Sequence, residues 1–190
     1  MNLIIVAGAN GSGKTTFAKE FIKEFDYYYL NADEIMFNEK VSNIEAGKRF
    51  LKRLNEALDN KNDILIETTL SGKYIFKLIN LAKRKNYKVE LIYVYVSIVK
   101  ENIKRVEIRA KSKEGHFIPF NDIIRRYKRS LKNLCIILNK VDFFEIYLND
   151  IEYELIADSN FIYDEEVYGE IIENCNSQKS RKKSKKPFAQ

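Results

Sequence analysis

With 190 residues, 45% of them hydrophobic and 13% aromatic, the chain can build one domain around a real core, which excludes wholesale disorder. The net charge of +6 sits entirely in the six Lys/Arg after residue 175, so the body is neutral and nucleic acid is not its expected partner. The longest apolar runs, Leu3–Ala7 and Leu91–Val96, fall far short of the roughly 20 residues a membrane helix needs. No signal-like stretch is present, and Cys135 and Cys175 stand far apart without a CxxC. That usage argues against a disulfide framework or zinc site and sets the expected location as cytoplasmic.

In chain order, strands and helices alternate. Asn2–Ala7 is an apolar run ending at Gly8, the pattern of a buried strand. Lys14–Phe25 places Phe17, Ala18, Phe21, Ile22 and Phe25 at helical spacing. Tyr27–Leu30 reads as a second strand and Glu45–Leu58 as an amphipathic helix. Ile64–Glu67 gives a third strand, Tyr74–Ala82 a helix and Val89–Val96 a fourth strand rich in β-branched and aromatic residues. Two helices follow, Val99–Ala110 and Asn121–Leu138. Asp142–Leu148 and Tyr153–Ala157 read as late strands, and Asp164–Glu173 as a short acidic helix. Such alternation predicts an α/β three-layer sandwich with a mostly parallel sheet. Residues 1–175 form the expected domain, and 176–190 (NSQKSRKKSKKPFAQ) an expected disordered basic tail.

Gly8-Ala9-Asn10-Gly11-Ser12-Gly13-Lys14-Thr15 matches GxxxxGK[ST] in full, follows a strand and opens a helix. Glycines in this pattern let backbone N–H groups converge on phosphate oxygens, while the helix aims its positive end at the same anion. The loop residues Gly8 to Thr16 are therefore the expected nucleotide site. Lys14 is placed to reach the β- and γ-phosphates, and the Thr15 hydroxyl to ligate Mg²⁺.

Asp33 lies just beyond the second strand and Glu67 ends the third. In small-molecule P-loop kinases the strand order 2-3-1-4-5 brings both strand ends beside the phosphate loop. A carboxylate there can take the proton of an acceptor hydroxyl or hold Mg²⁺ through water. Each also has a bland reading: Asp33 as the N-cap of a helix over Glu34–Phe37, Glu67 as a solvated strand end. Thr68 and Thr69 can bind an acceptor or cap the next helix. Arg105 and Arg109 share one face of a helix, and a loop with Gly115, His116 and Pro119 leads to a second helix with Arg125, Arg126 and Arg129. Two basic helices joined in this way, over about residues 99–130, have the form of a kinase lid, whose cations neutralise the transferring phosphoryl group. A solvated basic face is the alternative.

The segments GANGSGKTTFA, LNADE, LIETTLSG and KRVEIR…GHFIP…IIRRYKRSLKNL, in that order over residues 1–158, resemble the zeta toxin family and its ATPase relatives. The resemblance implies a P-loop kinase fold and transfer of phosphate from ATP to the 3′-hydroxyl of UDP-N-acetylglucosamine, with a small antitoxin covering the ATP site. It implies Lys14 and Thr15 for phosphate and Mg²⁺, and Asp33 as base on the acceptor. It implies Glu67 and Thr69 on the acceptor or metal side, and Arg105 or Arg109 in the lid. His116 is a substrate-side candidate. Other readings remain: a kinase for another metabolite or a polynucleotide end, or a weak ATPase that works by binding a partner.

Overall fold

The structure, a computed structural model, describes residues 1–111 and 118–180. Its elements are β1 (Asn2–Ala7), α1 (Lys14–Glu24), β2 (Tyr28–Leu30), α2 (Ala32–Glu39), α3 (Asn43–Asp59), β3 (Ile64–Thr68) and α4 (Tyr74–Arg84). They continue with β4 (Lys88–Tyr95), α5 (Val99–Lys111), α6 (Phe120–Ile137), β5 (Phe143–Asn149), β6 (Tyr153–Asp158) and α7 (Glu165–Ser180). The strands form one sheet in the order β2-β3-β1-β4-β5-β6. The first five run parallel, as the kinase-like order requires, and β6 adds an antiparallel edge to β5.

Side-chain alternation in β1 divides the core between the two faces of the sheet. Leu3 and Ile5 point into a large cluster with Leu54 of α3, Leu78 of α4, Leu134 of α6 and Ile171 of α7. Ile4 and Val6 point the other way, onto Ala18, Phe17 and Phe21 of α1. Helices thus cover both faces, which is why β1, β3 and β4 read as near-continuous apolar runs. A third, smaller cluster of Ile103, Val106, Ile118 and Ile123 joins α5 to the start of α6. The expected lid therefore has its own packing, while the C-terminal half of α6 belongs to the main core.

Two expectations are corrected. Cys135 of α6 and Cys175 of α7 form a disulfide, with Cα atoms 6.1 Å apart across a sequence separation of 40. The chain returns through the β5–β6 hairpin and lays α7 on α6, a proximity no linear spacing displays. Helix α7 also runs past the boundary placed at residue 175, to Ser180. Buried Ile171 and Cys175 anchor it, and Glu165 and Glu166 suit its N-terminal dipole. Residues 181–190 lie outside the described residues. Among those described, no helix is long and apolar enough to cross a membrane.

Candidate active site

The phosphate loop leaves the C-terminal end of β1 at the point where the chain first passes to β2 on one side and later to β4 on the other. That switch point is where open α/β sheets hold ligands. Gly11 and Gly13 have φ of 78° and 93°, conformations that side chains rarely adopt. A Cβ at Gly11 would also strike the Asn102 backbone, and one at Gly13 would strike the Asn149 amide. The loop is closed by Ser12 N–H to Ala9 O at 3.2 Å, and joined to β3 by Gly8 N–H to Thr68 O at 3.3 Å.

Four side chains from distant elements hold this loop. Asn102 of α5 donates Nδ2 to Asn10 O at 3.0 Å. Asn149 of β5 donates to Ser12 O at 2.8 Å, and Tyr153 of β6 donates its hydroxyl to Gly13 O at 2.8 Å. Arg126 of α6 donates to the Asn10 side chain at 3.2 Å. Three of these bonds occupy backbone carbonyls and the fourth a side-chain oxygen, so none of them uses a loop N–H that an anion could take. Sequence reading missed Asn102, Asn149 and Tyr153, because nothing local marks a residue that reaches a loop about 90 to 140 positions away.

Lys14 lies at the floor of a cleft of about 370 Å³ and is only 9% exposed. Its Nζ is 3.4 Å from Ala9 O. Burial pulls the ammonium below the ordinary lysine value; the carboxylates of Glu67 and Asp33 act in the opposite direction, and Arg109 and Arg126 lower it further. The expected phosphate lysine, both expected carboxylates and two lid arginines therefore lie within electrostatic reach of one another.

Glu67, buried at the end of β3, accepts the Thr15 hydroxyl at 2.8 Å through Oε2. Its Oε1 accepts the Tyr29 hydroxyl, and Asn31 Nδ2 donates to that tyrosine oxygen at 3.2 Å. Burial, together with the charge of Glu67, pushes the Tyr29 phenol far up, so it remains a donor. Glu67 is thus an inward carboxylate with both oxygens hydrogen-bonded, and not a solvated strand end. Asp33 stands at the exposed rim of the same cleft, in the first turn of α2. It does not cap that helix: Asn31 does, its Oδ1 accepting Asp33 N–H at 2.8 Å and Glu34 N–H at 3.3 Å.

Thr68 and Thr69 also line the cleft. The Thr68 hydroxyl accepts the Leu70 N–H at 3.1 Å, and Thr69 Oγ1 is 2.8 Å from Ser71 Oγ. Leu70 itself has φ of 55° with its side chain fully buried. A non-glycine residue in this region is strained by roughly 1–3 kcal/mol. Packing of the Leu70 side chain and Asn133 Nδ2 on Leu70 O at 2.7 Å hold it there. Thr69 and Ser71, on either side of Leu70, both line the cleft.

The lid arginines separate. Arg105 is turned away, donating to Asn149 O at 2.9 Å and Asp150 O at 2.8 Å in the β5–β6 turn. Two backbone carbonyls hold its guanidinium there, apart from the cleft-lining residues. Arg126 lines the cleft, whereas Arg125 pairs with Asp122 at 2.9 Å on the surface. Arg109 acts on Lys14 electrostatically. His116 lies outside the described residues.

A nucleotide triphosphate and Mg²⁺ fit the residues present. The Ser12 hydroxyl is buried in the loop with no partner among the described residues, and the loop's glycines leave no room for side chains. The Thr15 hydroxyl and the Glu67 carboxylate offer the hard oxygen donors that Mg²⁺ requires.

A model of the zeta toxin family matches residues 2–167. The chain belongs to the zeta toxin family. Among relatives, a cytidylate kinase of Saccharolobus islandicus is 27% identical over 165 residues, spanning 77% of this chain and 81% of that protein. The solved PezAT chromosomal toxin-antitoxin system of Streptococcus pneumoniae is 19% identical with a TM-score of 0.65, over 97% of this chain and 88% of that one. AvrRxo1-ORF1:-ORF2 with ATP is 18% identical with a TM-score of 0.71 over 90% of this chain. This chain spans only 63% of that protein, so the likeness is one of fold. Family and fold together are those of an ATP-dependent P-loop kinase.

Proposed function

We propose that this zeta toxin family member transfers the γ-phosphate of ATP to a hydroxyl of a nucleotide sugar, UDP-N-acetylglucosamine being the acceptor that its motifs imply. The observation that carries the reading is the single cleft lined by Lys14, Asp33, Glu67, Thr69 and Arg126. A phosphate-side cation and an acceptor-side carboxylate face each other there across about 370 Å³, within the range of small-molecule sites.

The roles follow from position. The phosphate-loop N–H groups not already bonded within the protein, with the start of α1, hold the β- and γ-phosphates. Lys14 neutralises the charge that grows on the oxygens between them. The Thr15 hydroxyl, with Glu67 beside it, would hold the Mg²⁺ that accompanies ATP, which would supply positive charge against the phosphates. Asp33 accepts the proton of the acceptor hydroxyl as its oxygen bonds to phosphorus and ADP departs. Arg126 and Arg109 stabilise the transferring phosphoryl group and exclude water when the lid closes. Thr69 and Ser71 offer hydroxyls that orient the acceptor.

The test is mass spectrometry of ATP-dependent phosphorylation across UDP-sugars, nucleoside monophosphates, nucleosides and oligonucleotides. A phosphorylated UDP-sugar is the expected product. The cytidylate kinase relative makes CMP the alternative acceptor, and phosphorylation of CMP alone would replace the sugar reading. An antitoxin that covers the nucleotide cleft is the partner we propose, in line with the PezAT neighbour.

The arginines give a graded expectation in steady-state kinetics. Arg126→Ala and Arg109→Ala lower kcat by roughly a hundredfold, the worth of a lost transition-state cation. Arg105→Ala leaves kcat within about threefold but lowers unfolding free energy by about 1 kcal/mol, because two turn carbonyls lose a charged donor and regain only water. A large kcat loss at Arg105 with unchanged stability would return it to the reacting groups.

A further inference from the structure

The chain Asn31–Tyr29–Glu67–Thr15 is not needed to state the reaction, yet it is a complete, directed hydrogen-bond relay. Its directions are fixed by chemistry. Asn31 Oδ1 is engaged by the Asp33 and Glu34 N–H groups. The amide must therefore turn its Nδ2 to the Tyr29 oxygen, 3.2 Å away. With that oxygen accepting from Asn31, the single phenolic proton goes to Glu67 Oε1. One carboxylate oxygen is thereby pinned, which fixes the rotation of the carboxylate and leaves Oε2 to take the Thr15 proton at 2.8 Å. A hydroxyl whose proton points at Glu67 presents its lone pairs on the opposite side.

We propose that Tyr29, itself held by Asn31, is a positioning residue that aims the Thr15 lone pairs at the Mg²⁺ accompanying ATP. The proposal rests on the phosphotransferase reading and deepens its metal side. The structure explains why one amide serves twice. Asn31 Nδ2 orders the metal side through Tyr29, while Oδ1 starts α2, whose first turn carries Asp33. The same residue thereby sets the spacing between the metal-side hydroxyl and the acceptor-side carboxylate. Tyr29 belongs to β2, which is only three residues long. Its aromatic ring packs with the α1-side cluster, and that contact survives loss of the hydroxyl.

The test compares nucleotide affinity with and without metal by isothermal titration calorimetry, on wild type, Tyr29→Phe and Asn31→Ser. Serine can retain the helix cap through its oxygen, but its shorter side chain lacks the Nδ2 that reaches Tyr29. Wild type binds ATP more tightly in Mg²⁺ than in EDTA. Tyr29→Phe is expected to bind ATP in EDTA as wild type does, within about twofold, while losing about tenfold of the metal-dependent gain, as deletion of one supporting partner of a metal ligand does. Asn31→Ser is expected to lose a smaller part of that gain with its melting temperature kept. Raising Mg²⁺ should restore Tyr29→Phe turnover, leaving kcat near wild type at saturation. Equal metal-dependent gain in Tyr29→Phe and wild type overturns the positioning role even if phosphoryl transfer is observed. An equal loss of affinity with and without Mg²⁺ marks a merely structural tyrosine and overturns it too. Failure of the wild type to bind ATP at all removes the phosphotransferase reading, and this inference with it.

Discussion

Lys14→Ala is expected to reduce phosphoryl transfer by at least about 10³-fold and to weaken ATP binding sharply, since one oriented donor at a developing charge is worth about that much. Lys14 is the cation of the phosphate loop, and its burial strips it of competing water. The same burial makes a second, opposite expectation for the ligand-free protein. Its ammonium is held below the ordinary value of 10.5, so burying it charged opposes folding. That penalty is full below the folded pKa and fades as the pH rises through it toward 10.5, because the unfolded chain then binds more protons than the folded one. Apo Lys14→Ala should therefore melt no lower than wild type at pH 7, and its relative advantage should shrink in alkali. Calorimetric titration with ATP and melting curves at pH 7 and 10 check both statements. Retained turnover in this variant would end the kinase reading.

Asp33→Asn carries the second large effect. Asparagine keeps the shape and can still accept a hydrogen bond, so the fold and ATP affinity survive. It cannot take a proton, and transfer to the acceptor is expected to fall by roughly 10²–10⁴, the usual contribution of a general base. Loose phosphoryl transition states place the fall toward the low end if the carboxylate mainly aims the hydroxyl. The stability change should be small, about 0.3–1 kcal/mol, because Asp33 gives up only its favourable charge at the start of α2. Asn31 retains the cap. Initial rates with the acceptor identified by mass spectrometry provide the measurement. If wild-type expression arrests bacterial growth, Asp33→Asn relieves the arrest. Full transfer in Asp33→Asn together with its loss in Glu67→Gln would move the base to Glu67. The geometry favours Asp33, which stands open at the rim, whereas both oxygens of Glu67 are engaged by Thr15 and Tyr29.

The strand–helix alternation, the parallel sheet and the phosphate loop were legible in the sequence because each is a local signal. Buried strands need unbroken apolar runs, amphipathic helices repeat with their own period, and a loop that surrounds an anion needs glycine at fixed offsets. The spacing of GANGSGKT placed Lys14 and Thr15 without help from the fold. Asp33 and Glu67 were legible as candidates only because the strand order could be assumed from the loop. The tertiary structure decided the surroundings of each one. Glu67 is turned inward by Tyr29, and Asp33 is freed from capping because Asn31, two residues earlier, does that work. It also decided between arginines of equal sequence merit. Arg105 meets the β5–β6 turn and Arg126 meets Asn10, a choice set by where the hairpin and α6 cross the loop. The Cys135–Cys175 disulfide and the supports from Asn102, Asn149 and Tyr153 left no sequence trace. Their partners are brought close only by the packing of the sheet and helices, and a hydrogen bond or sulfur pair depends on distance in space, to which spacing along the chain sets no more than a loose bound.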